Sequence, residues 1–179
     1  KVPPRSTQNC HWPIAPASVT PRVRADPEPS ETRPQGRGER PAMTDLTSTI
    51  AHLGRLVAHP TVSADPNRLL IEEMAETLEH AGARVEVMAD STGHKANLWA
   101  TFGPDTDGGV VLSGHSDVVP VEGQHWHTDP FALTEVPHGL AARGACDMKG
   151  FIACCLAMAP HFGRAARQRP IHLAFTHDE

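Results

Sequence analysis

The chain has no tyrosine, and its aromatic residues make up only 4% of 179 positions. A binder of single-stranded nucleic acid depends on rings that stack on bases, so this scarcity argues against that function. Positive charge is also short. Sixteen Lys and Arg stand against 21 Asp and Glu, a formal net of −5, which argues against a phosphate-backbone binder. The longest apolar run, residues 151–160, is about half of the ~20 residues a membrane span needs. No apolar stretch near the start resembles the core of a secretory signal. The four cysteines contain no Cys-x-x-Cys spacing, so neither a disulfide framework nor a structural zinc knot is expected. Cys154 and Cys155 adjoin each other in an apolar segment, eight or so residues after Cys146, and read as small buried thiols in a reducing cytosol.

What is present divides unevenly. Apolar residues at 39% support one domain of ordinary size. Residues 1–42 hold nine of the 17 prolines, with seven basic against four acidic residues, a local net of +3; the remainder holds nine basic against 17 acidic, a net of −8. The first segment has Trp12 as its single aromatic and no apolar periodicity, so it cannot offset its ordering entropy and reads as disordered. Met43 opens a regular pattern and reads as the true start, with residues 1–42 as upstream readthrough or a processed leader. An Arg-rich transit peptide is the rival, although the prolines oppose its amphipathic helix.

From Met43 onward the periodicity predicts a helix over residues 46–58, capped by Thr44 or Asp45 and stopped by Pro60, with Ile50, Leu53 and Val57 on one face. A second helix opens at Asp65 and Pro66 and runs to about His80, ending before Gly82, with Leu70, Met74 and Leu78 inward and an acidic outer face. Strands are expected at residues 84–88, 96–102, 110–112 and 171–175, and a largely buried helix at residues 148–162. The run Val110, Val111, Leu112 suggests a strand buried on both faces. The order α-α-β-β-β-α-β indicates an α/β sandwich with a mixed sheet.

Three polar segments follow strand ends or precede a helix, where α/β proteins place ligands. In residues 113–120, His115 and Asp117 stand two apart, so an extended backbone points both to one side. That spacing suits a ligand His with a carboxylate fixing its tautomer, and it equally suits a surface His beside a turn Asp. In residues 143–150, Asp147 precedes the buried helix, where it could be an N-cap. No phosphate-loop or dinucleotide-fold glycine pattern is present there. In residues 176–179 the chain stops one residue after Asp178 without a cap or polar tail, which reads as truncation.

Together these segments, as GHSDVVPVEGQHWHTDPF (114–131), RGACDMKGFIA (143–153) and RPIHLAFTHDE (169–179), resemble the co-catalytic zinc deacylases and exopeptidases. That family includes acetylornithine deacetylase, succinyl-diaminopimelate desuccinylase, aminoacylase and glutamate-type carboxypeptidases. The resemblance covers about residues 45–179, and the first and third motifs look most like the acetylornithine deacetylase branch. It implies a three-layer, zinc-aminopeptidase-like catalytic domain. By resemblance, His115 is a zinc ligand, Asp117 orients it, Asp147 bridges two metals and Glu179 is the general base. The cofactor implied is a pair of zinc ions about 3.5–4 Å apart, with cobalt or manganese as substitutes. A cis peptide is expected at Asp147-Met148.

The same resemblance implies hydrolysis of an N-acyl amino acid, N-acetylornithine to ornithine and acetate, in the cytoplasm, by a homodimer. A related acylase or exopeptidase is the alternative, as is a non-catalytic fragment of the same fold. The family's second Glu would be residue 180, and a further acidic ligand, a late His and the lid domain are also missing. The chain is therefore expected to be an N-terminal fragment that binds zinc weakly and is inactive. Ala141 and Ala142 replace a frequent Tyr. Of the other histidines, His52, His59 and His80 read as solvated helix residues, His125, His127 and His138 as loop or turn residues, and His172 and His177 as strand-associated residues without a ligand role.

Overall fold

The structure, a computed structural model, describes residues 46–165 and 167–178. The leader reading for residues 1–42, the Met43 start, the Thr44 or Asp45 cap and Glu179 lie outside the described residues.

Helix α1 (Leu46–Val57) buries Leu53, Leu56 and Val57 and leaves Ile50 toward solvent. Helix α2 (Arg68–His80) buries Leu70, Ile71, Met74, Ala75 and Leu78, the inward stripe its spacing predicts. It starts at Arg68, later than Asp65. Asn67 occupies the cap position without a capping bond, because its side chain is engaged elsewhere. Gly82, with φ of +92°, takes the left-handed turn that ends the helix, and Ala83 N–H donates to Leu78 O.

Four strands follow: β1 (Arg84–Ala89), β2 (Ala96–Phe102), β3 (Val110–His115) and, after helix α3 (Gly150–Arg164), the strand Ile171–Thr176. Between β3 and α3 lies a short hairpin, β4 (Thr134–Val136) and β5 (Gly139–Ala141), so the last strand is β6. The Pro137-His138 turn is legible in the sequence, but three-residue strands on either side of it are too short to show a period. The main sheet has the order β1-β2-β6-β3. β1 and β6 both run antiparallel to β2, and β3 runs parallel to β6, so the sheet is mixed as expected.

One sheet face carries Ala96, Leu98, Ala100 and Phe102 of β2 with Leu173 and Phe175 of β6, all buried in one core with α1, α2 and α3. At 25 cal/mol per Å², each such large apolar side chain contributes about 1.5–3 kcal/mol of burial. The opposite face carries Trp99, Ala174 and Val111, and no helix covers it among the described residues. Two layers of the expected three are therefore described. β3 corrects one expectation: it is the edge strand, with Val110 57% and Val111 50% exposed, so it is not buried on both faces. An apolar run reports hydrophobicity alone and cannot tell an edge from a centre.

Helix α3 begins at Gly150, two residues after the expected Met148. Asp147 and Met148 adopt non-helical φ/ψ (−127°, 100° and −131°, 34°) inside a kinked turn, Ala145–Lys149. The Asp147-Met148 peptide is cis, as the resemblance implied. The thiols are also sorted differently from the expectation: Cys155 is buried, while Cys146 and Cys154 are exposed. Residue 154 shares its helix side with exposed Phe151, three positions earlier. Burial and the neighbouring Cys154 push the Cys155 thiol up to about 12, which keeps it an inert packing group.

Candidate metal centre

The parallel pairing of β3 with β6 brings the carboxyl ends of both strands to one edge, with His115 opposite Thr176. The kinked turn before α3 then sets Asp147 beside them. His115 Nε2 lies 3.1 Å from Asp147 Oδ1. The N-cap alternative for Asp147 therefore falls, since the helix starts later and has no side-chain cap. Behind the ring, His115 Nδ1 is 3.0 Å from the Asp117 carbonyl and 3.6 Å from Asp117 Oδ1. His115 is nearly buried at 11% side-chain exposure and Asp117 at 5%, whereas Asp147 is 79% exposed. All three line a cavity of about 190 Å³ with Ser63, Arg143 and Cys146. The structure thus unites His115, Asp117 and Asp147.

Neighbouring residues fix this arrangement. Ser116, fully buried, donates from both N and Oγ to Thr176 O, at 2.8 and 2.9 Å. Thr61 Oγ1 donates to Ser116 O at 2.7 Å, and the segment after α1 pairs Val62 with Val118. Asn67 brackets the Ala96 backbone, accepting from its N–H at 2.8 Å and donating to its carbonyl at 3.0 Å, and also donates to Ser116 Oγ. Gly144 has φ of +76°, and a Cβ there would stand 2.5 Å from Val118 Cγ1, so only glycine permits this approach of the two site loops.

Lys149 is completely buried and donates to Leu56 O at 3.0 Å and His59 O at 2.7 Å, at the end of α1. Desolvation pulls its ammonium down to about 8, against the attraction of the Asp117 carboxylate, which raises it. Lys95 Nζ donates to Ser63 O at 2.6 Å and to Asp178 Oδ1 at 2.5 Å. The Asp178 carboxyl is held below its ordinary range by that Lys95 bond first, and then by His177. Arg143 stacks over Trp126 at 5.0 Å and donates to Gln124, which closes one cavity wall. None of Ser63, Thr61, Asn67, Lys95, Ser116 or Lys149 stood out in the sequence. Each acts on a partner at least 29 residues away, and short polar side chains carry no local signature of such a partner.

The remaining histidines fall outside the centre. His59 Nε2 meets Glu73 Oε2 at 2.8 Å, and His172 stacks on Trp99 with ring centroids 4.9 Å apart on the outer sheet face. Among the described residues, no three His, Cys, Asp or Glu side chains converge as a complete metal site.

The donor pair that is present fits a cation. With two oxygens around Nδ1, the ring's proton belongs there, which turns the Nε2 lone pair toward an Asp147 oxygen only 3.1 Å away. That contact is repulsive unless a second proton or a cation lies between the two atoms. Two ligands of one tetrahedral zinc, with bonds near 2.0–2.1 Å, stand roughly 3.3 Å apart.

An α/β domain that brings a His and a carboxylate together at the carboxyl ends of adjacent parallel strands offers a cation two donors. Residues 111–179 match Peptidase family M20/M25/M40. Acetylornithine deacetylase of Pasteurella multocida is 36% identical over 144 residues, covering 76% of this chain and 37% of the relative. The Yersinia pestis acetylornithine deacetylase is 36% identical over 135 residues, 69% of this chain and 35% of the relative. The chain thus spans little more than a third of the length of these relatives. Among solved structures, human carnosine dipeptidase 1 has a TM-score of 0.61 and 29% identity, covering 74% of this chain and 32% of that one. An M20 family metallo-carboxypeptidase from Sulfolobus solfataricus has a TM-score of 0.63 at 23% identity, covering 73% and 31%, and supports the fold.

Proposed function

We propose that this chain contributes part of the metal centre of an amide hydrolase that cleaves an N-acyl amino acid, with N-acetylornithine, yielding ornithine and acetate, as the preferred substrate. The observation that carries the reading is the 3.1 Å approach of His115 Nε2 to Asp147 Oδ1 at the cavity. His115 and Asp147 would hold zinc, and Asp117 would hold the His115 ring in place. Bound zinc supplies Lewis acidity toward the amide carbonyl and a lowered pKa for the attacking water. Glu179 would accept a proton from the attacking water and deliver it to the leaving amine. The substrate branch rests on the 36% identity to acetylornithine deacetylases. Likeness to a carnosine dipeptidase favours a dipeptidase as the second reading. A homodimer in the cytoplasm accompanies the first reading.

Cobalt(II) titration followed by visible absorption tests the centre. The 179-residue polypeptide is expected to bind weakly, since two donors converge among the described residues, and His115→Ala and Asp147→Ala are expected to lower affinity a further tenfold or more. Unchanged binding in both variants refutes the metal assignment. The substrate reading is tested on the native gene product with acetylornithine, succinyl-diaminopimelate, acetylmethionine and a His-containing dipeptide. Cleavage of none of the four refutes it.

A further inference from the structure

We propose that Ser63 is a positioning residue that sets which ring nitrogen of His115 carries the proton, acting through Asp117. Its consequence for metal binding rests on the metal-centre reading above, while its geometric core does not. Ser63 Oγ donates to Asp117 Oδ2 at 2.5 Å, a length characteristic of a hydroxyl on an ionised carboxylate. The other acceptor in reach, Val118 O, is 3.4 Å away and competes poorly for the single hydroxyl proton. With Oδ2 engaged, the carboxylate cannot rotate about its Cβ–Cγ bond without breaking that contact. Oδ1 is buried, accepts no hydrogen bond, and stands 3.6 Å from His115 Nδ1.

The Asp117 carbonyl, 3.0 Å from the same nitrogen, is the hydrogen-bond acceptor. The carbonyl accepts the Nδ1 proton, the carboxylate charge of Oδ1 3.6 Å away favours a proton on that nitrogen, and the Nε2 lone pair is left directed at the Asp147 side. Were Asp117 to rotate, the longer of these two contacts would be lost first, and the preference for this tautomer would weaken.

Ser63 can impose this orientation because its own backbone is held from several sides. Its N–H donates to Val118 O at 3.1 Å, Val62 pairs with Val118, and Lys95 Nζ donates to Ser63 O at 2.6 Å. Lys95 also reaches Asp178, so the segment that carries the hydroxyl is tied to the end of β6 as well as to the His115 loop. Ser63 lines the cavity itself and reaches Asp117 across 54 residues of sequence.

The test is nitrogen NMR of the His115 imidazole in the whole 179-residue chain without metal, at about pH 8.5, two units above the ordinary imidazole pKa of ~6.5. The wild-type ring is expected to be protonated at Nδ1. Ser63→Ala is expected to give a mixture of tautomers and to weaken zinc affinity about tenfold, the lower end of what loss of a ligand's outer partner costs. Ser63→Thr, which keeps the hydroxyl, is expected to restore both properties. Ser63→Cys, a weak donor of similar size, should behave as the alanine variant and serves if that variant folds poorly.

Thr61→Val removes a bond from the same segment without touching Asp117, so it is expected to lower Tm and leave the tautomer unchanged. A wild-type tautomer in Ser63→Ala, or the same tautomer loss in Thr61→Val, overturns the assignment. If His115→Ala leaves zinc affinity unchanged, the metal-centre reading fails, and the metal-free tautomer comparison still decides the role of Ser63.

Discussion

Lys149 directs a wholly buried ammonium at two carbonyls, Leu56 O and His59 O, where α1 ends and its last acceptors lack helical partners. A cation there also complements the negative end of the helix dipole. Removing it deletes two buried hydrogen bonds, leaves Leu56 O and His59 O with only the His59 and Thr61 N–H groups, and opens an unfilled space. Lys149→Ala is therefore expected to lose about 2–4 kcal/mol of stability in urea denaturation. Lys149→Met, which keeps the volume, is expected to lose less. At this scale the sequence was legible where chemistry is local. His115 and Asp117, two apart at a strand end, showed themselves as a pair, and Asp147 did so through its motif. Lys149 did not, since a lysine beside a helix start looks like any solvated charge until the end of α1 is placed on top of it.

Among the elements, Asn67 does more than begin α2. By bonding the Ala96 backbone in both directions and Ser116 Oγ in addition, it fastens the helix start, the first residue of β2 and the His115 loop together. Asn67→Ala is expected to cost about 2–3 kcal/mol, since several buried polar groups lose partners at once. Amide exchange should show the loss as faster exchange at Ala96 and around Ser116, with the centre of α2 less affected. A uniform change across the domain would contradict this local fastening. The three helices and the four strands of the main sheet were readable from period and punctuation to within a few residues. The start of α3 was not, because Asp147 and Met148 leave helical φ/ψ and no propensity in Cys-Asp-Met-Lys announces it. The β4-β5 hairpin escaped for the opposite reason, being too short for alternation to register.

For the molecule as a whole, sheet order was the least legible feature, since nothing local distinguishes an edge strand from a central one. β3 ends the sheet with Val110 and Val111 more than half exposed or nearly so, and its outer backbone groups have no strand beside them among the described residues. Such an edge is a template for further pairing. The polypeptide is expected to associate with rising concentration in light scattering, and Val111→Lys, on the face away from the helices, is expected to reduce that association without lowering Tm appreciably. A wild-type chain that stays monomeric throughout would show the edge to be shielded.

The place of β6 has a further consequence. It follows every other described strand in sequence, yet it lies between β2 and β3. Those two strands are made early and have no partner on their facing sides until residues 171–176 exist. The sheet therefore cannot be zipped up progressively as the polypeptide emerges from the ribosome. It must wait for a late insertion that closes loops of many tens of residues, the kind of non-local pairing that slows folding. Since His115 aligns with Thr176 on the inserted strand, the loop that carries His115 stays unassembled until that strand has been made.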